Sequence, residues 1–422
     1  MTNSFKKIIL IIVTTFISLL FIQSCAEDPE PSLYDLPGGG GATPVISSVN
    51  PPNEALAGVT EITITGNNFS ADPEENLVFF NGELADVKSA TITQLVLTAP
   101  NVVSDSIAIK IAVNGAEQFS NNFIYKLSPA VSEIVNPDGE PIYNVTATAA
   151  NQFTNIYGIT VDNQENLLIS VAGGGSEGIK KVTPAGDVTD YAPKGAESFF
   201  AYMKIGLGDT IYAARASSRG IWQVVQGITS ITWITQPQGT IIADLDFDIN
   251  LNIWTVGSAI FRVTRNKEVK SFPFVGTLRS VRVFGNSLFV AGKKDDIEGV
   301  WKFQIISSDS LSSPELYFDL SQYTNEASAV INTITFSADG DLIVGTTKEV
   351  DPIVIIHPDK SIEPLYPGVI PLRTDVVNFA WGTGEFLYFN RPGVVDGEAI
   401  IHKPGLMKLN MQEAGAPYYG RD

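Results

Sequence analysis

The chain has one cysteine, Cys25, and two histidines, His357 and His402, in 422 residues. A single thiol excludes any internal disulfide. Two histidines leave little for a Ser–His–Asp relay or an imidazole metal centre. Both sit beside turn residues, in Ile356-His357-Pro358-Asp359 and His402-Lys403-Pro404, which reads as outer hairpins or loops. No serine stands in a nucleophile-elbow setting. Positive charge is also scarce, with 27 Lys and Arg against 46 Asp and Glu and a formal net charge of −19. With no long basic run, a nucleic-acid partner is not expected. Long segments with apolar residues at i, i+3, i+4 and i+7 are missing, so helices are not the framework. Gly173-Gly174-Gly175-Ser176 lies between two strand patterns with no helix to follow, which makes it a loop rather than a phosphate cradle.

What is present begins with an export pattern. Lys6 and Lys7 precede an uncharged run from Ile8 to Ile22. That run suits a signal-peptide h-region and is short of the ~20 apolar residues a membrane span needs. It ends in Phe21-Ile22-Gln23-Ser24-Cys25. This resembles a bacterial lipobox, which implies that residues 1–24 are a signal peptide and that Cys25 is acylated. Each buried CH₂ contributes about 0.8 kcal/mol, and stable anchoring takes more than one acyl chain. The triacylation that the resemblance implies meets that requirement.

Ala26-Glu27-Asp28 resembles the acidic signal that, in the Bacteroidota, sends lipoproteins to the outer face of the outer membrane. The expected address is therefore the outer membrane, lipid-anchored and facing the exterior, with a periplasmic orientation left open by the residues. Residues 25–42 continue through Pro29, Pro31, Pro37 and Gly38–Gly41 and read as a tether.

After the tether the chain is rich in short alternating runs bounded by Gly, Pro, Asn and Asp, which predicts an all-β protein. Residues 43–127 open with Pro44-Val45-Ile46-Ser47-Ser48-Val49-Asn50-Pro51 and continue with Glu61-Ile62-Thr63-Ile64-Thr65-Gly66-Asn67-Asn68-Phe69. Strand patterns follow at Leu77–Phe80, Gln94–Thr98, Ser106–Val113 and Asn122–Tyr125. This order resembles the IPT/TIG immunoglobulin-like domains, which implies a β-sandwich used as a spacer or contact module.

Residues 128–422 carry a repeat. Leu167-Leu168-Ile169, Ile211-Tyr212-Ala213, Ile253-Trp254-Thr255, Leu288-Phe289-Val290, Leu342-Ile343-Val344 and Leu387-Tyr388-Phe389 recur at intervals of 44, 42, 35, 54 and 45. Turn residues precede each of these runs. A period near 40–50 with four strands per unit is the mark of propeller blades, and six anchors predict six blades. The pattern resembles NHL and gluconolactonase-like six-bladed β-propellers. No fourth strand is evident for the last blade, so Tyr143–Ala147 is expected to pair into it and close the ring.

In such propellers the inner strands line a channel, which here brings together Gly158, Lys204, Asp244, Ser280, Thr333 and Asn378, with Tyr157, Asp246, Arg279 and Asn332 nearby. Phe199, Phe200 and Tyr202 cluster in the loop entering the second blade, and Tyr323 and Tyr366 lie in equivalent loops. Ring faces beside amides and charges suit a sugar, whose CH groups stack while its hydroxyls bond. The expected ligand-binding set is Tyr157, Phe200, Tyr202, Lys204, Asp244, Arg279, Asn332 and Asn378. A metal-dependent lactonase of the resembling fold would gather oxygen ligands around a cation, and Asp244, Asn332 and Asn378 are the candidates for calcium. Lys204 and Arg279 would repel that cation, so no cofactor is expected.

The reading favoured is a non-catalytic cell-surface lipoprotein. Its partners are the membrane, through the anchor, and a glycan or outer-membrane protein bound by the propeller as an accessory part of an envelope complex. The alternative is a gluconolactonase-like metal-dependent hydrolase or lyase at the channel mouth.

Overall fold

The computed structural model describes residues 40–144, 152–172, 177–197, 199–396 and 399–421. The leader, Cys25, the tether up to residue 39 and Gly173–Ser176 lie outside the described residues. The described residues form two compact units, and apart from three single turns of 3-10 helix every regular element is a strand. Among them no helix is long and apolar enough to cross a membrane.

The first unit is a sandwich of two sheets. One holds four strands, in the order Val45–Asn50, Glu61–Asn67, Gln94–Thr98, Val87–Thr91. The other holds five, in the order Glu54–Ala57, Phe123–Pro129, Ser104–Val113, Asn76–Phe80, Glu83–Ala85. Alternation along each strand sends one set of side chains inward: Ile62, Ile64, Leu95, Leu97, Ile107, Ile109 and Ile111 are completely buried. Gly66 is required by crowding, because a Cβ there would meet the Val45 carbonyl oxygen at 1.9 Å.

The second unit is a six-bladed β-propeller. Blade 1 runs Ile156–Val161, Leu167–Val171, Gly178–Val182, Val188–Pro193 from the channel outward, and blades 2 to 5 repeat this meander with inner strands Tyr202–Gly206, Ile242–Phe247, Thr277–Phe284 and Ile331–Phe336. The turns that follow the inner strands repeat a device. Asp162 Oδ1 accepts from the Gln164 and Asn166 amides, and Asp248 does the same for Asn250 and Asn252. A short side-chain acceptor pins a tight turn in this way.

Blade 6 corrects the expected closure. Its strands Val377–Trp381, Phe386–Arg391 and Gly405–Asn410 are completed by Val131–Glu133, which pairs antiparallel with Val131 opposite Leu409 and Glu133 opposite Met407. The earlier segment wins because it enters directly from the last sandwich strand. Tyr143 instead bridges Phe153, and Val145–Ala147 lie outside the described residues.

The residues after the last strand form no strand. Met411–Arg421 crosses the channel where the inner strands end. Ala416 N donates to the Phe336 carbonyl, Arg282 Nη2 donates to the carbonyls of Ala416 and Pro417, and Arg421 Nη2 donates to those of Val161 and Trp381. Tyr418 bonds Thr335 Oγ1 at 3.0 Å. A Cβ on Gly420 would meet the Ile205 carbonyl oxygen at 2.5 Å.

Candidate functional site

The inner strands start at the open end of the channel, and one position recurs there as a clasp between neighbouring blades. Asp244 Oδ2 in blade 3 accepts from Val281 N of blade 4 at 3.0 Å. Ser280 Oγ in blade 4 accepts from Ile334 N of blade 5 at 3.1 Å, and Thr333 Oγ1 in blade 5 accepts from Phe379 N of blade 6 at 3.0 Å. Asn378 in blade 6 donates from Nδ2 to the Tyr157 carbonyl at 2.7 Å and the Ala201 carbonyl at 3.1 Å. Asn378 holds φ at +57°, a conformation asparagine tolerates better than most residues. Gly158 occupies the same position in blade 1, where a Cβ would meet the Phe200 carbonyl oxygen at 2.7 Å and leave no room for Asn378 to span it.

Lys204 is the odd member of this ring. It makes no hydrogen bond or ion pair among the described residues, and its ammonium lies 5.0 Å above the Tyr418 ring. A polar notch at the mouth is lined by Tyr202, Lys204, Asp244, Arg279, Asn332, Thr333 and Asn378. Six of the eight ligand residues named from the sequence therefore meet in one place, supplied by five blades. The notch has space of about 10 Å³, close to one water. Only a single functional group enters it; the body of a ligand would lie outside.

The electrostatics are set by partners. Burial pushes the Asp244 carboxyl above its ordinary range, against the pull of Lys204 and of bonds from Val281, Ser280 and Leu245. Burial also raises the Tyr202 phenol, helped by the Asp244 charge. Arg279 forms an ion pair with Glu298 and donates from Nε to the Ile331 carbonyl at 2.6 Å. Deeper in, Arg282 and Asp246 form a wholly buried ion pair at 2.8 Å. Burial would raise the Tyr418 phenol, but Lys204, Arg282 and the Thr335 hydroxyl outweigh it, and the net direction is down.

The remaining two predicted residues lie elsewhere. Tyr157 stacks on Phe199 with ring centroids 3.7 Å apart, on the rim between blades 1 and 2. Phe200 is 3% exposed and packs against Trp222 in the seam between blades, away from the mouth. Successive residues of an extended segment face opposite ways, so Phe199 keeps the rim and Phe200 takes the core. Tyr323 and Tyr366 likewise pack against core clusters. His357 bonds Asp341 and lies near Glu363, far from the mouth in sequence and register.

The calcium candidates do not suit a cation. Asp244 already accepts three hydrogen bonds, Asn378 turns its amide NH₂ onto two carbonyls, and Lys204 faces the same notch. Among the described residues no group of three or more His, Cys, Asp or Glu is arranged to hold a metal. The sequence reading missed the floor of the site, formed by Tyr418 and Arg421. The clue present was a run of Pro417, Tyr418 and Tyr419 too aromatic for a solvated tail.

Residues 44–126 match the family model for the IPT/TIG domain. No curated protein matches the chain. Among solved structures, an auxiliary nutrient binding protein from Bacteroides thetaiotaomicron is 12% identical, with 88% of this chain and 99% of that one covered and a TM-score of 0.49. A putative gluconolactonase is 10% identical over 68% and 93%, with a TM-score of 0.47. The virginiamycin B lyase of Staphylococcus aureus is 14% identical over 73% and 93%, with a TM-score of 0.43. None of these likenesses transfers an activity to this chain.

Proposed function

We propose that this chain is a non-catalytic, lipid-anchored surface protein whose propeller mouth grips one polar or anionic group of a glycan, as an accessory component of an outer-membrane complex. The observation that carries the reading is Lys204. In a ring whose other polar members are tied to neighbouring blades, it is the one cation left without a hydrogen bond or ion pair among the described residues. The stacked Tyr157–Phe199 rings on the rim supply a face for a sugar ring whose substituent enters the notch. The clasped carboxylate and amides favour a rigid recognition surface over acid–base chemistry, which needs groups free to exchange protons with a substrate.

The test is a glycan array probed with the chain lacking its first 25 residues, repeated with Lys204→Met and Phe199→Ala. Binding of an acidic or heavily hydroxylated glycan, weakened more than tenfold by either change, supports the reading. An array without hits, beside capture of an outer-membrane protein that Lys204→Met abolishes, would move the partner from sugar to protein.

A further inference from the structure

A second cavity lies away from the mouth, between blades 6 and 1, and it is far larger. Its volume is about 290 Å³, at the lower end of the ~300–1,000 Å³ typical of small-molecule sites. Strand register builds it. Ser132 lies opposite Lys408, and Lys408 opposite Tyr388, so the three side chains form one row across three strands of blade 6. Phe386, two residues before Tyr388, projects from the same face. Blade 1 supplies the other wall with Glu165, Leu167, Val182 and the Thr183–Gly186 turn.

The same strand position carries different partners from blade to blade. The residue pair Tyr388–Lys408 recurs as Tyr212–Gln223 in blade 2 and Trp254–Arg262 in blade 3. Gln223 donates to the Tyr212 hydroxyl at 2.8 Å. Arg262 is ion-paired with Asp309 and donates to the Ser308 carbonyl at 2.6 Å. Lys302 in blade 4 and Lys408 have no such partner among the described residues, Lys302 resting over the Phe289 and Tyr317 rings and Lys408 lining the cavity. The Lys408 ammonium rests 4.5 Å from the Phe386 ring centroid, facing the cavity. On the facing side, Glu165 Oε1 is held by Thr383 and Gly384, while the buried Oε2 has no partner.

We infer that this cavity binds one carboxylate-bearing, hydroxylated ring of monosaccharide size. Lys408 takes the carboxylate, Phe386 and Tyr388 take a CH face, and the Ser132 hydroxyl takes a sugar hydroxyl. The volume admits one ring and not a chain. Burial lowers the Lys408 pKa and, together with the Glu165 charge, pushes the Tyr388 phenol up to about 12. Both shifts come from partial burial of the cavity wall.

The site is distinct from the mouth, so the two readings fail separately. Calorimetry on the chain lacking its first 25 residues is run with D-glucuronate, with glucose and with phenylalanine as a zwitterion of similar size. Glucuronate is expected to bind, and the other two not. Lys408→Met should weaken glucuronate at least tenfold without lowering the melting temperature, because it removes a desolvated, unpartnered charge. Phe386→Ala should weaken it several-fold, and Lys302→Met, a lysine at the same strand position in blade 4, should leave it unchanged. A galacturonate trimer run in parallel separates a polymer end, which binds beside the free sugar, from a free sugar alone, and glucuronate binds in either case. Absence of glucuronate binding, undiminished binding in Lys408→Met, loss in Lys302→Met, or equal binding of glucose or phenylalanine each overturns it.

Discussion

Arg282 makes the most interdependent set of contacts in the propeller. It is fully buried, ion-paired with Asp246, bonded to two carbonyls of the segment crossing the channel, and 3.7 Å from the Tyr418 ring. Removing one partner of a buried pair strands the other charge, at a cost of about 3–5 kcal/mol. Arg282→Met is therefore expected to lower the unfolding free energy, measured by urea titration, by that amount and to expose Met411–Arg421 to proteolysis in the folded state. A loss of stability with the segment still protected would show that other bonds hold it.

Asp244 gives a prediction with a sign. Its folded-state pKa is raised above 3.8, chiefly by burial. As pH climbs through that interval the unfolded chain has released a proton that the folded chain still holds, so stability falls. Asp244→Asn removes this component. The variant's stability relative to the parent should improve from about pH 4 upward and level off once Asp244 has ionised. Urea titrations across that range check it, and a pH-independent difference refutes it. Calcium titration by calorimetry should give no stoichiometric heat that Asp244→Asn abolishes, since the carboxylate is already committed to Val281, Ser280 and Leu245.

Among the elements, the short strand Val131–Glu133 matters beyond its length, because it joins the start of the propeller to its last blade. Just after it, Ile134 N donates to the Leu406 carbonyl at 2.7 Å. Ile134→Pro deletes that donor and leaves a buried carbonyl unpaired, a cost of about 1–3 kcal/mol. Lower stability with early cleavage near Ile134 is the expected result; a merely lowered midpoint, without local cleavage, would mean the ring stays shut. This element also marks the limit of sequence reading. The blades were legible because turn residues and apolar triplets repeat, as at Leu167, Ile211, Ile253, Leu288, Leu342 and Leu387. A three-residue edge strand carries no such signal, and the β-prone look of Tyr143–Ala147 outweighed it. Six mouth residues were legible because inner-strand positions follow from blade phase. Phe200 was misplaced by one step of a period-two alternation. The channel floor was not legible at all, since Met411–Arg421 has no regular structure and its place depends on partners from all six blades.

At the scale of the whole molecule, Met411–Arg421 lies across the channel where the inner strands finish, while Lys204 also lines the notch at the mouth. The proposed role also requires an anchor. A net charge of −19 gives the chain no electrostatic attraction to anionic lipid, which draws polybasic segments instead. If the protein sits on a membrane, we propose that acylation at Cys25 holds it there. Cys25→Ser is accordingly expected to move the protein from the detergent phase to the aqueous phase in detergent partitioning, and from the membrane pellet to the soluble fraction of cells. Binding at the mouth should keep its affinity, because the glycan test itself uses the chain lacking its first 25 residues. Retention of the variant in carbonate-washed membranes would sink the lipid-anchor reading. It would point instead to the apolar run Ile8–Ile22 as an uncleaved anchor, or to a membrane partner held through the propeller.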